Sequence, residues 1–103
     1  MATAFIFESD QFDAGTYDKM MGEMGLGTVE SPFPPGCIAH IAGPQGDAGW
    51  RVVDVWETED AANAFYGSDQ FAPVSSSPEA AGIRTTPWTI HRVQIPVAVT
   101  TIG

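Results

Sequence analysis

The chain has 103 residues, enough for one domain with a usable core and too few for two. Thirteen Asp and Glu stand against four Lys and Arg, a formal charge of −9, so nucleic acid and anionic membrane surfaces are repelled and no basic stripe offsets this. An apolar fraction of 44% with three Trp, two Tyr and six Phe argues against disorder.

Cys37 has no second cysteine to pair with, and Pro35-Gly36-Cys37-Ile38-Ala39 brings no cation to stabilise a thiolate. It reads as a small, buried, apolar residue in a reducing compartment. Met1 to Phe7 is apolar without a basic n-region, and Glu8 and Asp10 follow at once, so no targeting signal is expected. No apolar run approaches the length of a membrane span. The expectation is a cytoplasmic protein forming one domain over residues 1–103.

Thr3 to Ser9 is a short strand rich in Phe and Ile. Asp13 then caps a helix on which Tyr17, Met20, Met21 and Met24 form one apolar stripe at helical spacing, ended by Gly25 and Gly27. The prolines of Ser31-Pro32-Phe33-Pro34-Pro35-Gly36 exclude regular structure and make a stiff connection. Gly36 to Gly43 and Trp50 to Glu57 are strands joined by the turn Pro44–Gly49, a hairpin. Thr58 caps a second helix bearing Ala61, Ala64 and Phe65, interrupted at Gly67 and Ser68. An irregular helical piece with Phe71 and Val74 follows. Thr86 to Ile95 is the fourth strand, with Pro87 at its start. The tail 95–103 is β-prone and available to pair with a partner chain.

The order β-α-β-β-α-β is the split pattern of a ferredoxin-like α+β fold, an antiparallel four-stranded sheet with both helices on one face. The third strand carries Trp50, Val52, Asp54 and Trp56 on one face and Val53 and Val55 on the other, apolar in the middle on both. The fourth repeats this with Trp88 and Ile90 against Val93 and Ile95. Two helices cover one face only. At about 25 cal/mol per Å² the uncovered side chains are a heavy liability, so the sheet is expected to pack against a second copy, as a homodimer.

Few groups offer chemistry. His40 and His91 are the only histidines, each expected mid-strand, and either could act as a general base with Asp54 orienting it. Whether His40 and Asp54 share a face depends on the hairpin register, and each histidine reads more readily as a hydrogen-bonded structural residue. Asp54, costly to bury alone, could accept from Arg51, Arg92 or Tyr66. Trp50, Trp56 and Trp88 could wall an aromatic pocket, which Tyr17 and Tyr66 could reach from the helices. The catalytic candidates are thus His40, Asp54 and His91, and the substrate-binding candidates Trp56, Tyr17, Tyr66, Trp88 and Arg92. Two histidines and one cysteine without close spacing make no metal site, the glycines form no phosphate-cradling fingerprint, and Ser75–Ser77 lacks a nucleophile elbow.

The run Gly49-Trp50-Arg51-Val52-Val53-Asp54-Val55-Trp56-Glu57-Thr58, followed by Ala61 and Phe65, resembles the central signature of dimeric α+β barrel proteins, which include the antibiotic biosynthesis monooxygenase-like group. Gly36-Cys37-Ile38-Ala39-His40, Phe71-Ala72-Pro73-Val74 and Ile90-His91-Arg92-Val93 fit the same layout, so the resemblance spans residues 3–95. It implies two sheets packed across a dimer, with a ligand cavity between sheet and helices in each subunit. It also implies chemistry without a bound cofactor on an aromatic or polyketide-like molecule. A cyclase, an isomerase or a monooxygenase working from a general-base proton abstraction fits, and so does a non-catalytic homodimer that binds a ligand or a partner. Cofactor-free oxygenases of this group use a tryptophan, an asparagine and a tyrosine. Trp56 suits the first role, but the only asparagine, Asn63, belongs to the second helix and not to the tryptophan strand.

Overall fold

Residues 2–94 are described by the computed structural model, so the tail 95–103 and its expected pairing lie outside the described residues. The elements run β1 (Thr3–Ser9), α1 (Ala14–Glu23), β2 (Cys37–Pro44), β3 (Trp50–Trp56), α2 (Glu59–Tyr66), α3 (Ala72–Ser75) and β4 (Arg84–Thr89). Single 3₁₀ turns precede and follow α3. No helix among the described residues is long and apolar enough to cross a membrane.

Both main helices begin where a side chain satisfies a free amide. Asp13 accepts from the Thr16 amide at 2.8 Å, which holds its carboxyl below the ordinary value, and Thr58 accepts from the Ala61 amide at 3.1 Å. α1 ends in a Schellman arrangement. The Leu26 amide donates to Met21 at 2.8 Å and the Gly25 amide to Gly22 at 3.1 Å, with Gly25 at φ 76°, a conformation only glycine adopts cheaply. This turn drives Leu26 into the core beside Met21, Met24, Trp56, Ala62 and Phe65. On α2, Ala62 is buried and Ala64 exposed. Gly36, at φ 89°, lets β2 start against α2, since a Cβ there would lie 2.7 Å from Ala61 Cβ.

The strands form one antiparallel sheet in the order β2-β3-β1-β4, a ferredoxin-like α+β fold. Direct partners share a face. The row His40, Asp54, Phe5 and Pro87 points toward the helices, and the next row, Ile41, Val53, Ile6 and Thr86, points away. Core packing of Trp56 against residues of both helices fixes which face is which.

β4 departs from the sequence reading. It spans Arg84–Thr89 instead of Thr86 to Ile95, with Pro87 inside it. As an edge strand it has a ladder on one side only, which accommodates a residue lacking an amide donor. Its end follows β1: Thr89 pairs with Thr3, the Ile90 amide donates to Ala2 at 3.2 Å, and among the described residues the ladder goes no further. His91, Arg92 and Val93 therefore follow the sheet as exposed residues, and Ile95 is outside the described residues.

Candidate active site

Strand alternation aims Trp50, Val52, Asp54 and Trp56 of β3 at the space beneath the helices. There they border a cavity of about 340 Å³. α1 contributes Tyr17 and the methionine stripe Met20, Met21 and Met24. Phe7 and Phe12 close one side, and Phe65, Phe71 and Val74 another. Three flexible thioethers among rigid rings make a wall that adapts to a flat apolar guest.

His40 and Asp54 of this wall belong to a chain of polar groups that runs on behind it. The hairpin register places His40 directly opposite Asp54, and His40 Nδ1 lies 2.6 Å from Asp54 Oδ1. The Tyr66 hydroxyl donates to Asp54 Oδ2 at 2.8 Å, and the Trp56 indole N–H donates to the Tyr66 oxygen at 2.9 Å. At the other end the Tyr17 hydroxyl bonds His40 Nε2. Asp54 is buried, and with both oxygens receiving donors it acts as the acceptor of the set. The His40 proton accordingly sits on Nδ1, leaving Nε2 as the acceptor for the Tyr17 O–H.

Aromatic rings fix His40 in place. Tyr17 stacks on it with centroids 5.9 Å apart and planes 13° apart, and Phe33 lies at 5.0 Å. Trp50 leans on Tyr17 at 5.3 Å. Burial, and then the charge of Asp54, push the Tyr17 phenol up to about 12 and the Cys37 thiol up to about 11. The same two causes push the Tyr66 phenol well above its ordinary range. All three hold their protons at neutral pH, so the two phenols are donors.

Of the residues singled out in the sequence, His40, Asp54, Tyr17 and Trp56 border the cavity. Tyr66 meets Asp54 and is not part of the cavity wall, in contrast to its expected substrate contact. His91 and Arg92 are exposed beyond β4 and away from the wall. Trp88 is 55% exposed on the opposite sheet face, because it pairs with Ala4, whose row points away from the helices. Phe33 and the half-buried Cys37 are wall residues that the sequence reading did not assign. The signal for Phe33 was an aromatic held between prolines. Arg51, a possible partner for Asp54, instead donates to Glu8 at 2.9 Å on the far face. Among the described residues no group of three His, Cys, Asp or Glu could hold a metal ion.

No protein-family model and no curated protein sequence matches the chain. Solved structures do. A Mycobacterium tuberculosis protein is similar at TM-score 0.69 and 11% identity, over 90% of this chain and 98% of that one. A variant of SnoaB, a cofactor-independent oxygenase from Streptomyces nogalater, is similar at TM-score 0.64 and 14% identity, over 89% and 95%. A dimeric ferredoxin-like protein of unknown function from Jannaschia is similar at TM-score 0.63 and 16% identity, over 87% and 100%. Others of this fold are provisionally named antibiotic biosynthesis monooxygenases. At these identities the likeness establishes the fold alone: the chain shares the ferredoxin-like α+β architecture of these proteins.

Proposed function

We propose that the protein is a cofactor-independent enzyme that takes a proton from a small aromatic or polyketide-like molecule, with His40 as general base. One observation carries this reading: His40 stands in the wall of an apolar cavity with one ring nitrogen bonded to a buried carboxylate and the other to a phenol. An acidic C–H or O–H of the guest passes its proton to the Tyr17 oxygen while Tyr17 passes its own to His40 Nε2. The imidazolium so formed keeps its Nδ1–H on Asp54, and the guest is left as an anion. Tyr17 is neutral before and after, in keeping with its raised pKa. Cyclisation or isomerisation can follow from that anion, as can oxygenation in which dissolved dioxygen is the oxidant and takes the anion's electrons, and the proton is returned to product or solvent. The name of SnoaB as a cofactor-independent oxygenase supports this class of chemistry.

The protein acts as a homodimer in this reading, joined through the outer sheet face, where Ile41 is 62% and Trp88 55% exposed beside Val53 and Val55. Tyr66 and Trp56 position Asp54, and the chain works as a single domain in the cytoplasm.

The test needs no knowledge of the final product. Neutral 1,3-dicarbonyl and hydroxyaromatic compounds are incubated with the protein in deuterated buffer, and replacement of acidic C–H by deuterium is followed by NMR. Wild type should accelerate exchange of at least one class, and His40→Asn should lose about 10²–10⁴-fold of that acceleration. If no compound exchanges faster than in buffer while wild type and His40→Asn bind the panel alike, the protein is a non-catalytic ligand-binding dimer.

A further inference from the structure

Among the described residues the cavity wall contains no Lys or Arg. Each of the four basic side chains of the chain lies elsewhere. Lys19 is 3.8 Å from Glu23 on the outer side of α1, and Arg51 is bound to Glu8. Arg84 is 3.5 Å from Asp10, and Arg92 is exposed past the sheet. Residues 95–103 carry no ionisable side chain, so the tail cannot supply a cation either. The Glu8 carboxylate is held by Arg51 on the far face of the sheet, which leaves Asp54 as the charge that faces a guest. Asp18 borders a neighbouring hollow together with Tyr17 and Phe33.

We propose that the cavity takes up its small molecule in uncharged form and turns away carboxylates, sulfonates and phosphate esters of the same shape. This rests on reading the cavity as the substrate site. An anion entering it would lose its hydration, find no cation in exchange and meet the charge of Asp54. A neutral acid avoids that cost, because its negative charge is created inside, opposite the imidazolium that forms in the same step. The net charge of the filled site does not change. Two groups of the wall already respond in this way: Tyr17 and Cys37 both hold their protons more tightly than usual, through burial and Asp54. The substrate class is therefore a neutral phenol or a neutral carbonyl compound with an acidic C–H, and its acidic group is ionised in the site, not before entry.

Calorimetric titration at neutral pH with 2-naphthol and with 2-naphthoate tests this, since the two are alike in shape and differ in charge. Naphthol should bind about tenfold or more tightly than naphthoate. Ser75→Lys and Thr85→Lys place a cation at two exposed positions that border the cavity. Either should narrow the gap by strengthening naphthoate binding relative to naphthol. Naphthoate bound as tightly as naphthol by wild type, or naphthol left unbound up to its solubility, would overturn the inference. A preference for naphthol without any deuterium exchange leaves it standing and removes the proton-transfer reading. Exchange without a charge preference does the reverse.

Discussion

On the helix side of the sheet β3 presents Trp50, Val52, Asp54 and Trp56, and on the open side Arg51, Val53 and Val55. Both rows are apolar over most of their length, and they differ in where the polar groups sit. On the open side the Arg51–Glu8 pair is at the end of the sheet and half in solvent, while the middle is apolar with Ile41 and Trp88 exposed. On the helix side the polar groups sit in the middle, where Asp54 is buried and receives donors from His40 and Tyr66. Burying an unpaired carboxylate would be far too costly for this chain to carry idly, and here two direct donors, His40 and Tyr66, hold it, each bonded in turn to Tyr17 or Trp56. In the proposed reading, apolar exposure marks the face that meets another chain, and the polar chain beside an apolar cavity marks the face proposed to do chemistry.

The contrast can be broken most severely at its centre. Asp54→Leu strands the His40 Nδ1–H and the Tyr66 hydroxyl among apolar groups, and should cost about 3–5 kcal/mol in urea denaturation. A loss near zero would mean that the network contributes nothing to the fold. Tyr66→Phe removes one donor to Asp54 and leaves the Trp56 indole N–H without its acceptor, for about 1–3 kcal/mol by the same measurement. On the open face, Trp88→Ser should leave the stability of each subunit nearly unchanged. It should raise the dimer dissociation constant roughly tenfold in sedimentation velocity, about 1.4 kcal/mol. An unchanged oligomeric state would place the partner elsewhere.

The smallest effect is on alkaline stability. Cys37 and Tyr17 have pKa values raised in the fold from 9.0 and 10.0 to about 11 and about 12. Their contribution is complete below the unfolded values and is lost as pH rises through the folded ones. Melting temperatures should therefore decline from about pH 9 upward, and Cys37→Ala should flatten the early part of that decline. A curve equally steep in the variant would assign the decline to other groups.

Much of the architecture was legible from local chemistry. The caps at Asp13 and Thr58, the methionine stripe, the glycine end of α1 and the alternation of β3 are short-range signals, and each is present in the structure. The pairing of His40 with Asp54 was not legible. β2 carries an irregularity between Cys37 and Ala39, and such a bulge reverses the side to which following residues point without leaving a mark in composition. The fourth strand was misplaced for a similar reason. Its end depends on where β1 stops pairing, some eighty residues earlier, while the alternation of Trp88, Ile90 and Val93 pointed further along. With that strand went His91 and Arg92 as site residues. Tyr66 was found as a polar aromatic on a helix, but its partner was set by the packing of α2 over β3, which no helical spacing reveals.

The central claim is that Asp54 keeps the His40 proton on Nδ1, leaving Nε2 free to accept. Long-range ¹H–¹⁵N correlation spectra of the histidine side chains at neutral pH read this directly. His40 should show a protonated, strongly hydrogen-bonded Nδ1 and an unprotonated Nε2, and Asp54→Asn should disturb that pattern while leaving His91 unchanged. A neutral His40 ring carrying its proton on Nε2, unaffected by the change at Asp54, would contradict the account.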